Sequence, residues 1–267
     1  MKSFQRINVL VILLITPALL WSCASYQSVS FRSAPVMEDS LVIDGLLYRP
    51  EGNGPFPAVV VLHGCSGVDY HHRAWAKQLK EWGYIALIVD SFGPRGVDRV
   101  CGHSFKIPDL QRAADSYGAA RYLIQLPYVD GKNIGLLGFS HGAWTGLRAV
   151  QKNFPYTVNM ETIPFKAAVL FYPSCYFSQD QYIAIPTLIL IGSKDDWTPA
   201  SRCVDLNKSV EHPELLELVV YEGAYHDFDR PRPNRTYLNH TMRYDVEATK
   251  DAKERTKAFF DRHLMER

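Results

Sequence analysis

Ile134-Gly135-Leu136-Leu137-Gly138-Phe139-Ser140-His141-Gly142 runs from an apolar strand into the pattern G-x-S-x-G, and Ala143, Trp144, Leu147 and Val150 continue at helical spacing. A chain that passes from strand to helix in so few residues must turn sharply, leaving the Ser140 hydroxyl exposed in a strained conformation. Gly138 and Gly142 carry no Cβ, so neighbouring backbone can close in around the turn. The helix that starts after Ser140 aims free N–H groups and its positive end at the same point. A bare five-residue pattern can arise by chance in a loop. The strand before it and the helix after it instead point to Ser140 as a nucleophile.

A serine hydroxyl needs a general base, and the base needs an orienting carboxylate. Behind a turn of this type they follow in the order acid, then histidine. Downstream, Ile191-Gly192-Ser193-Lys194-Asp195-Asp196-Trp197-Thr198-Pro199 continues an apolar run, and spacing alone leaves Asp195 and Asp196 equal. Tyr221-Glu222-Gly223-Ala224-Tyr225-His226-Asp227-Phe228 follows the last such run and supplies His226 as the base. His212, His240 and His263 follow no strand. Two N–H donors are needed for an oxyanion. The expected pair is the backbone of His141, next to the nucleophile, and that of Cys65 in Leu62-His63-Gly64-Cys65-Ser66-Gly67. His63 reads as a loop-structuring residue. His71-His72 reads as a surface pair, because no third metal ligand is recognisable.

Around this turn, short runs rich in Val, Ile and Leu alternate with helical patterns. The runs are Ala58–Leu62, Tyr84–Val89, Ile134–Leu137, Ala167–Phe171, Thr187–Ile191 and Leu218–Tyr221. Leu110, Ala113, Ala114, Tyr117 and Ile124 share one helical face, and Ala248, Ala252 and Phe259 mark a closing C-terminal helix. Such alternation predicts an α/β fold, a mostly parallel central sheet with helices on both faces. Leu41–Tyr48 is expected as an edge strand, residues 24–39 as a polar tether, and residues 40–267 as one domain. The segment from Asp229 to Asp245 reads equally as a lid or a surface excursion.

His63-Gly64-Cys65-Ser66-Gly67, Asp90-Ser91-Phe92-Gly93-Pro94-Arg95-Gly96, the Ser140 turn, Gly192 to Pro199 and Ala224-Tyr225-His226-Asp227-Phe228 together resemble the dienelactone hydrolase family of α/β-hydrolases. The resemblance implies an α/β-hydrolase fold and hydrolysis of small carboxylic esters or lactones without a cofactor. It selects Asp195, four residues before Pro199, as the triad acid. It assigns Arg95 to a substrate carboxylate, against the alternative of a structural salt bridge; Trp197, beside the candidate acids, is a further expected substrate contact. In two places the chain departs from the name-giving enzymes. Ser140 stands where they use cysteine, and Gly64 where they carry a glutamate, so a general ester hydrolase with a serine triad is the expectation.

The N-terminus is of another kind. Lys2 and Arg6 precede the apolar run Val9–Ile15, and Leu20-Trp21-Ser22-Cys23 resembles the lipobox of bacterial lipoproteins, with Trp21 where small residues are usual. Residues 1–23 are therefore expected to be a signal, with Cys23 lipidated and the protein held in the cell envelope, at the outer membrane facing the periplasm. Ordinary cleavage or an uncleaved anchor are the alternatives. Cys65, Cys101, Cys175 and Cys203 then remain, an even number that permits two disulfides in an oxidising compartment, with Cys175–Cys203 the preferred pair.

The whole chain of 267 residues is 47% apolar and 21% charged, which excludes disordered and low-complexity classes. Its 29 basic and 28 acidic residues give no bulk charge to recruit nucleic acid. Zinc-finger spacing and GxxxxGK[ST] loops are absent from it. A small-molecule substrate fits this balance. Two rivals share the fold: a binding protein that has lost its chemistry, and a peptidase or carbohydrate esterase. An intact Ser140, Asp195 and His226 weighs against the first, and the lack of an appended propeller or carbohydrate module against the second.

Overall fold

The computed structural model describes residues 26–36, 40–176 and 178–265, so the signal-like segment and Cys23 lie outside the described residues. Eight strands form one sheet: β1 (Gln27–Arg32), β2 (Val42–Tyr48), β3 (Phe56–Leu62), β4 (Ile85–Asp90), β5 (Val129–Phe139), β6 (Ala167–Phe171), β7 (Thr187–Gly192) and β8 (Leu216–Tyr221). Their order is β1-β2-β4-β3-β5-β6-β7-β8. β1 and β2 run antiparallel, and every pairing from β4 to β8 is parallel. The helices are α1 (Tyr70–Glu81), α2 (Asp109–Ile124), α3 (His141–Ala149), the single turn α4 (Phe154–Thr157), α5 (Ala200–Ser209) and α6 (Val246–Phe260). A small hairpin, β9 (Arg235–Tyr237) and β10 (His240–Met242), sits between β8 and α6.

Period-two alternation along β5 separates the two faces. A Cβ on Gly135 would meet Phe260 of α6, and Phe139, four residues on, packs against Trp75 of α1 at 5.6 Å, so α1 and α6 share a face. Leu136 lies on the other face, beneath Gly146 of α3. The strands β3 to β7 are buried on both sides, as their aliphatic runs predict, whereas β8 is half-exposed at the sheet's edge. From β3 the sheet grows to one side through β4 and to the other through β5, which makes β3/β5 the topological switch point. Open α/β sheets hold their sites in the crevice at that point, beyond the carboxyl ends of the strands.

Three expectations need correction. Residues 24–39 are not a tether throughout, because Gln27–Arg32 forms β1. There Val29 and Phe31 alternate inward between exposed polar residues, a period of two hidden in a polar stretch. The strand at 42–48 is therefore internal, with β1 outside it as the edge. His71 and His72 are not a surface pair. They lie in the first turn of α1, capped by Asp69, and are 2% and 1% exposed.

The turn at Ser140 is locked by close packing on either side. A Cβ on Gly142 would fall on the Leu62 carbonyl and 2.6 Å from that of His63, at the end of β3. One on Gly138 would lie 2.6 Å from the Gly142 carbonyl oxygen. Gly142→Ala is therefore expected to destabilise the fold by about 1–3 kcal/mol, the usual cost of overpacking. The readout is a lower thermal midpoint by circular dichroism; an unchanged midpoint would mean that strand and helix part freely.

Candidate active site

Ser140 caps α3 with φ 51° and ψ −115°, a left-handed conformation rare for a residue with a side chain. Its N–H donates to the Phe171 carbonyl at the end of β6, 3.0 Å away, and its own carbonyl accepts the Trp144 N–H, so both sides of the strained peptide are held. The loop after β3 passes close by: a Cβ on Gly64 would stand 3.7 Å from that of Ser140. The side chains of Ser140, His226 and Asp195 meet above β5, β7 and β8. His226 Nε2 is 3.0 Å from Ser140 Oγ, and His226 Nδ1 is 2.7 Å from Asp195 Oδ2. Asp195 also accepts from the Trp197 and Thr198 N–H groups and the Thr198 hydroxyl, at 2.8–2.9 Å.

Asp196 goes elsewhere. Its carboxylate accepts the Thr241 N–H, and its carbonyl oxygen accepts a hydrogen bond from His240 Nδ1, so it anchors the β9–β10 hairpin. Trp197 stacks on His240 at 4.7 Å and tilts over the His226 ring at 5.3 Å. The segment from Asp229 to Asp245 is thus a hairpin docked on the acid loop, with Asp229 and Arg230 buried at its root. Burial pulls the His226 pKa down, but the charge and hydrogen bond of Asp195, helped by Asp227 and Asp196, outweigh it and leave the pKa above the ordinary 6.5.

Of the two expected oxyanion donors, the Cys65 N–H has no acceptor among the described residues. The His141 N–H belongs to the first residue of α3, where intrahelical partners are lacking. Behind both stands Arg112 of α2, fully buried, a residue that sequence reasoning passed over. Its guanidinium donates to the His63 carbonyl at 2.6 Å and to His141 Nδ1, and lies over the Phe92 ring. With Nδ1 accepting, the His141 proton sits on Nε2 and is donated to the Ser104 carbonyl at 2.9 Å. Burial and the Arg112 charge push the His141 pKa down to about 3, so the ring is neutral. Burial also lowers the Arg112 pKa to about 9, partly offset by Asp115, and the group stays charged at neutral pH.

The loop after β3 is held from a second side. The Gly64 N–H donates to His72 Nε2 at 3.3 Å, and His72 Nδ1 lies 2.9 Å from Asp69, which in turn pairs with Arg230 at 2.8 Å. His71 Nε2, the Trp75 indole and the Tyr172 hydroxyl all bond to buried Asp229, each at 2.8 Å. Asp69, His71 and His72 bring their ligand atoms within 4.8 Å of one another, yet the His72 nitrogens and His71 Nε2 are committed to these protein partners.

Arg95 is not among the described residues that line the cavities at Ser140. Its guanidinium forms a bidentate pair with buried Asp115 at 2.8 and 3.0 Å and donates to the Ser91 carbonyl, so the salt-bridge alternative replaces the expected substrate clamp. The cysteines form Cys65–Cys101 and the preferred Cys175–Cys203. The first disulfide lines a cleft of about 330 Å³ beside Ser140, together with Phe105, Trp144 and Trp197. The second ties Ser174 and Tyr176, on one side of that cleft, to the helix carrying Arg202.

The profile of the dienelactone hydrolase family matches residues 43–264. A relative from Bradyrhizobium sp, described as a probable 2-oxo-3-(5-oxofuran-2-ylidene)propanoate lactonase, is 25% identical over 74% of this chain and 86% of its own. Among solved structures, a dienelactone hydrolase-like promiscuous phosphotriesterase from metagenomic libraries superposes with a TM-score of 0.68 at 20% identity, covering 90% of this chain and 99% of its own. Esterase 2 of Thermogutta terrifontis gives a TM-score of 0.66 at 18% identity, covering 92% of this chain and 98% of its own. These structures share the α/β-hydrolase fold. With its sheet, its serine turn and a family match across nearly the whole described domain, the chain belongs to the dienelactone hydrolase family and is a carboxylic ester hydrolase.

Proposed function

We propose that this chain cleaves small carboxylic esters or lactones by a two-step acyl transfer on Ser140. The observation that carries the reading is the continuous hydrogen-bonded line from Ser140 Oγ through the His226 ring to Asp195. His226 Nε2 takes the hydroxyl proton as Oγ attacks the carbonyl carbon. The carbonyl oxygen, now negative, is met by the N–H groups of Cys65 and His141. The carbon–oxygen bond to the leaving group breaks, and His226 returns the proton to the departing alkoxide. Water then attacks the acyl carbon and loses a proton to His226; the carbon–Oγ bond breaks, His226 returns that proton to Ser140 Oγ, and the acid departs. Asp195 fixes the tautomer that leaves Nε2 free to accept.

Arg112 acts as a positioning residue. It grips the carbonyl of His63, two residues before one oxyanion donor, and the ring of His141, whose N–H is the other. Export and lipidation at Cys23 also remain part of the proposal. They are supported by the charged, apolar start of the chain and by two disulfides, which persist in oxidising compartments.

Ser140→Ala is expected to lower kcat for p-nitrophenyl acetate by at least ~10³-fold, as for removal of other serine nucleophiles. The native protein should also be labelled at Ser140 by a fluorophosphonate; equal turnover by the variant would remove the assignment. Because His226 accepts the proton only when neutral, kcat/KM should rise with pH along a limb whose midpoint lies above 6.5. Arg112→Met is expected to lower kcat by about 10–100-fold, approaching the cost of losing one oxyanion donor. KM should move far less, and circular dichroism should remain native. Cys23→Ser should abolish incorporation of labelled palmitate; labelling that persists would overturn the lipidation site.

A further inference from the structure

The tetrahedral carbon formed on Ser140 has four substituents, and the structure assigns a direction to each. One is Oγ itself. The oxyanion points at the Cys65 and His141 N–H groups. The leaving oxygen must face His226 Nε2, which returns its proton. The acyl group takes the direction that remains.

Among the described residues two cavities meet at Ser140, and they differ greatly in size. The one that His226 lines is a recess of about 20 Å³, closed by Tyr172, Met242 and the Asp227–Arg230 pair. That is room for roughly one water-sized group. The other, which His226 does not line, is the cleft of about 330 Å³. Four rings line it, from four separate segments: Phe105 before α2, Trp144 on α3, Tyr176 after β6 and Trp197 after β7. Phe105 and Trp144 stand edge to face at 5.6 Å and 86°, which makes a right-angled corner. Among the described lining residues Arg202 is the sole cation and there is no carboxylate; the Arg202 guanidinium lies 4.6 Å over the Tyr176 ring.

The walls are also tied down. Cys65–Cys101 fixes the segment leading to Phe105 onto the oxyanion loop, and Cys175–Cys203 fixes the one carrying Tyr176 onto α5. A slot walled by rings and braced by cross-links suits a flat, rigid guest. Such a guest offers edge-to-face contacts and loses little conformational freedom on entry, whereas a flexible alkyl chain must be ordered.

Resting on the acyl-transfer reading above, we infer that the preferred substrates are esters of aryl-bearing carboxylic acids with small alcohols, the aromatic ring lodged among Phe105, Trp144, Tyr176 and Trp197 and the alcohol in the recess beside His226.

The test uses three esters of similar intrinsic reactivity: methyl 3-phenylpropanoate, methyl hexanoate and 3-phenylpropyl acetate, with p-nitrophenyl acetate as the general esterase control. The expected result is a kcat/KM for methyl 3-phenylpropanoate above both others by about tenfold or more, a discrimination within reach of an apolar pocket. Phe105 is 70% exposed, so Phe105→Ala should fold, and it should shrink that ratio several-fold. Comparable values for the three esters overturn the inference, as does preference for the acetate or the hexanoate. So does failure to cleave the methyl aryl ester while p-nitrophenyl acetate is turned over. In each of these cases the esterase reading stands. No turnover of any ester, the control included, removes the esterase reading and this inference together.

Discussion

At Ser140 the backbone takes φ 51° and ψ −115°, a conformation that costs of order 1–3 kcal/mol and persists only where the surroundings over-determine it. Here they do so from three sides. The end of β6 accepts the Ser140 N–H, the end of β3 lies against Gly142, and α3 begins at once and consumes the Ser140 carbonyl. The first two of these contacts require the parallel order β3, β5, β6 with its present register. Sheet order, glycine placement and exposure of the hydroxyl are therefore one constraint seen from different residues.

A second layer of support is electrostatic. Arg112 is a fully buried cation whose guanidinium is paired with a carbonyl and a neutral imidazole, while nearby Asp115 is taken up bidentately by Arg95. A buried guanidinium is expensive unless its donors are satisfied. In this position it aligns two loops that the chain brings together from residues 63 and 141. Asp229 plays the corresponding part on the other face, gathering His71, Trp75 and Tyr172, whose ring lies 4.6 Å from that of His226. Burial pushes the Asp229 pKa up, but His71 and the two further donors bring it to about 2, so it is ionised across the neutral range.

Legibility in the sequence followed the range of the interaction. The fold and the neighbourhoods of Ser140 and His226 could be read because each depends on what adjoins it: an apolar run, a glycine, a helical period. Asp195 and Asp196 could not be separated by spacing, since they differ in three-dimensional partners, the His226 ring for one and the Thr241 N–H for the other. The motif around Arg95 leaves a substrate clamp and a salt bridge open for a related reason. The true partner of Arg95, Asp115, lies twenty residues away on α2, and nothing in the motif announces it. Arg112, Asp115 and Ser116 do leave a trace, a polar stripe at i, i+3 and i+4 in a helix otherwise rich in alanine. Val29 and Phe31 were missed because average polarity conceals an alternation only a few residues long.

The strand that replaced the expected tether also gives the molecule a front and a back. β1 is antiparallel to β2, and β2 to β4, so β1 runs in the same direction as β4 and toward the rim that carries Ser140. Its first residues stand low on the sheet, with Tyr26 against Tyr48 at 5.5 Å, and Tyr48 in register with Ala86. The first described residue of the chain, Tyr26, thus stands at the end of the sheet opposite the rim that carries Ser140 and the mouth of the cleft.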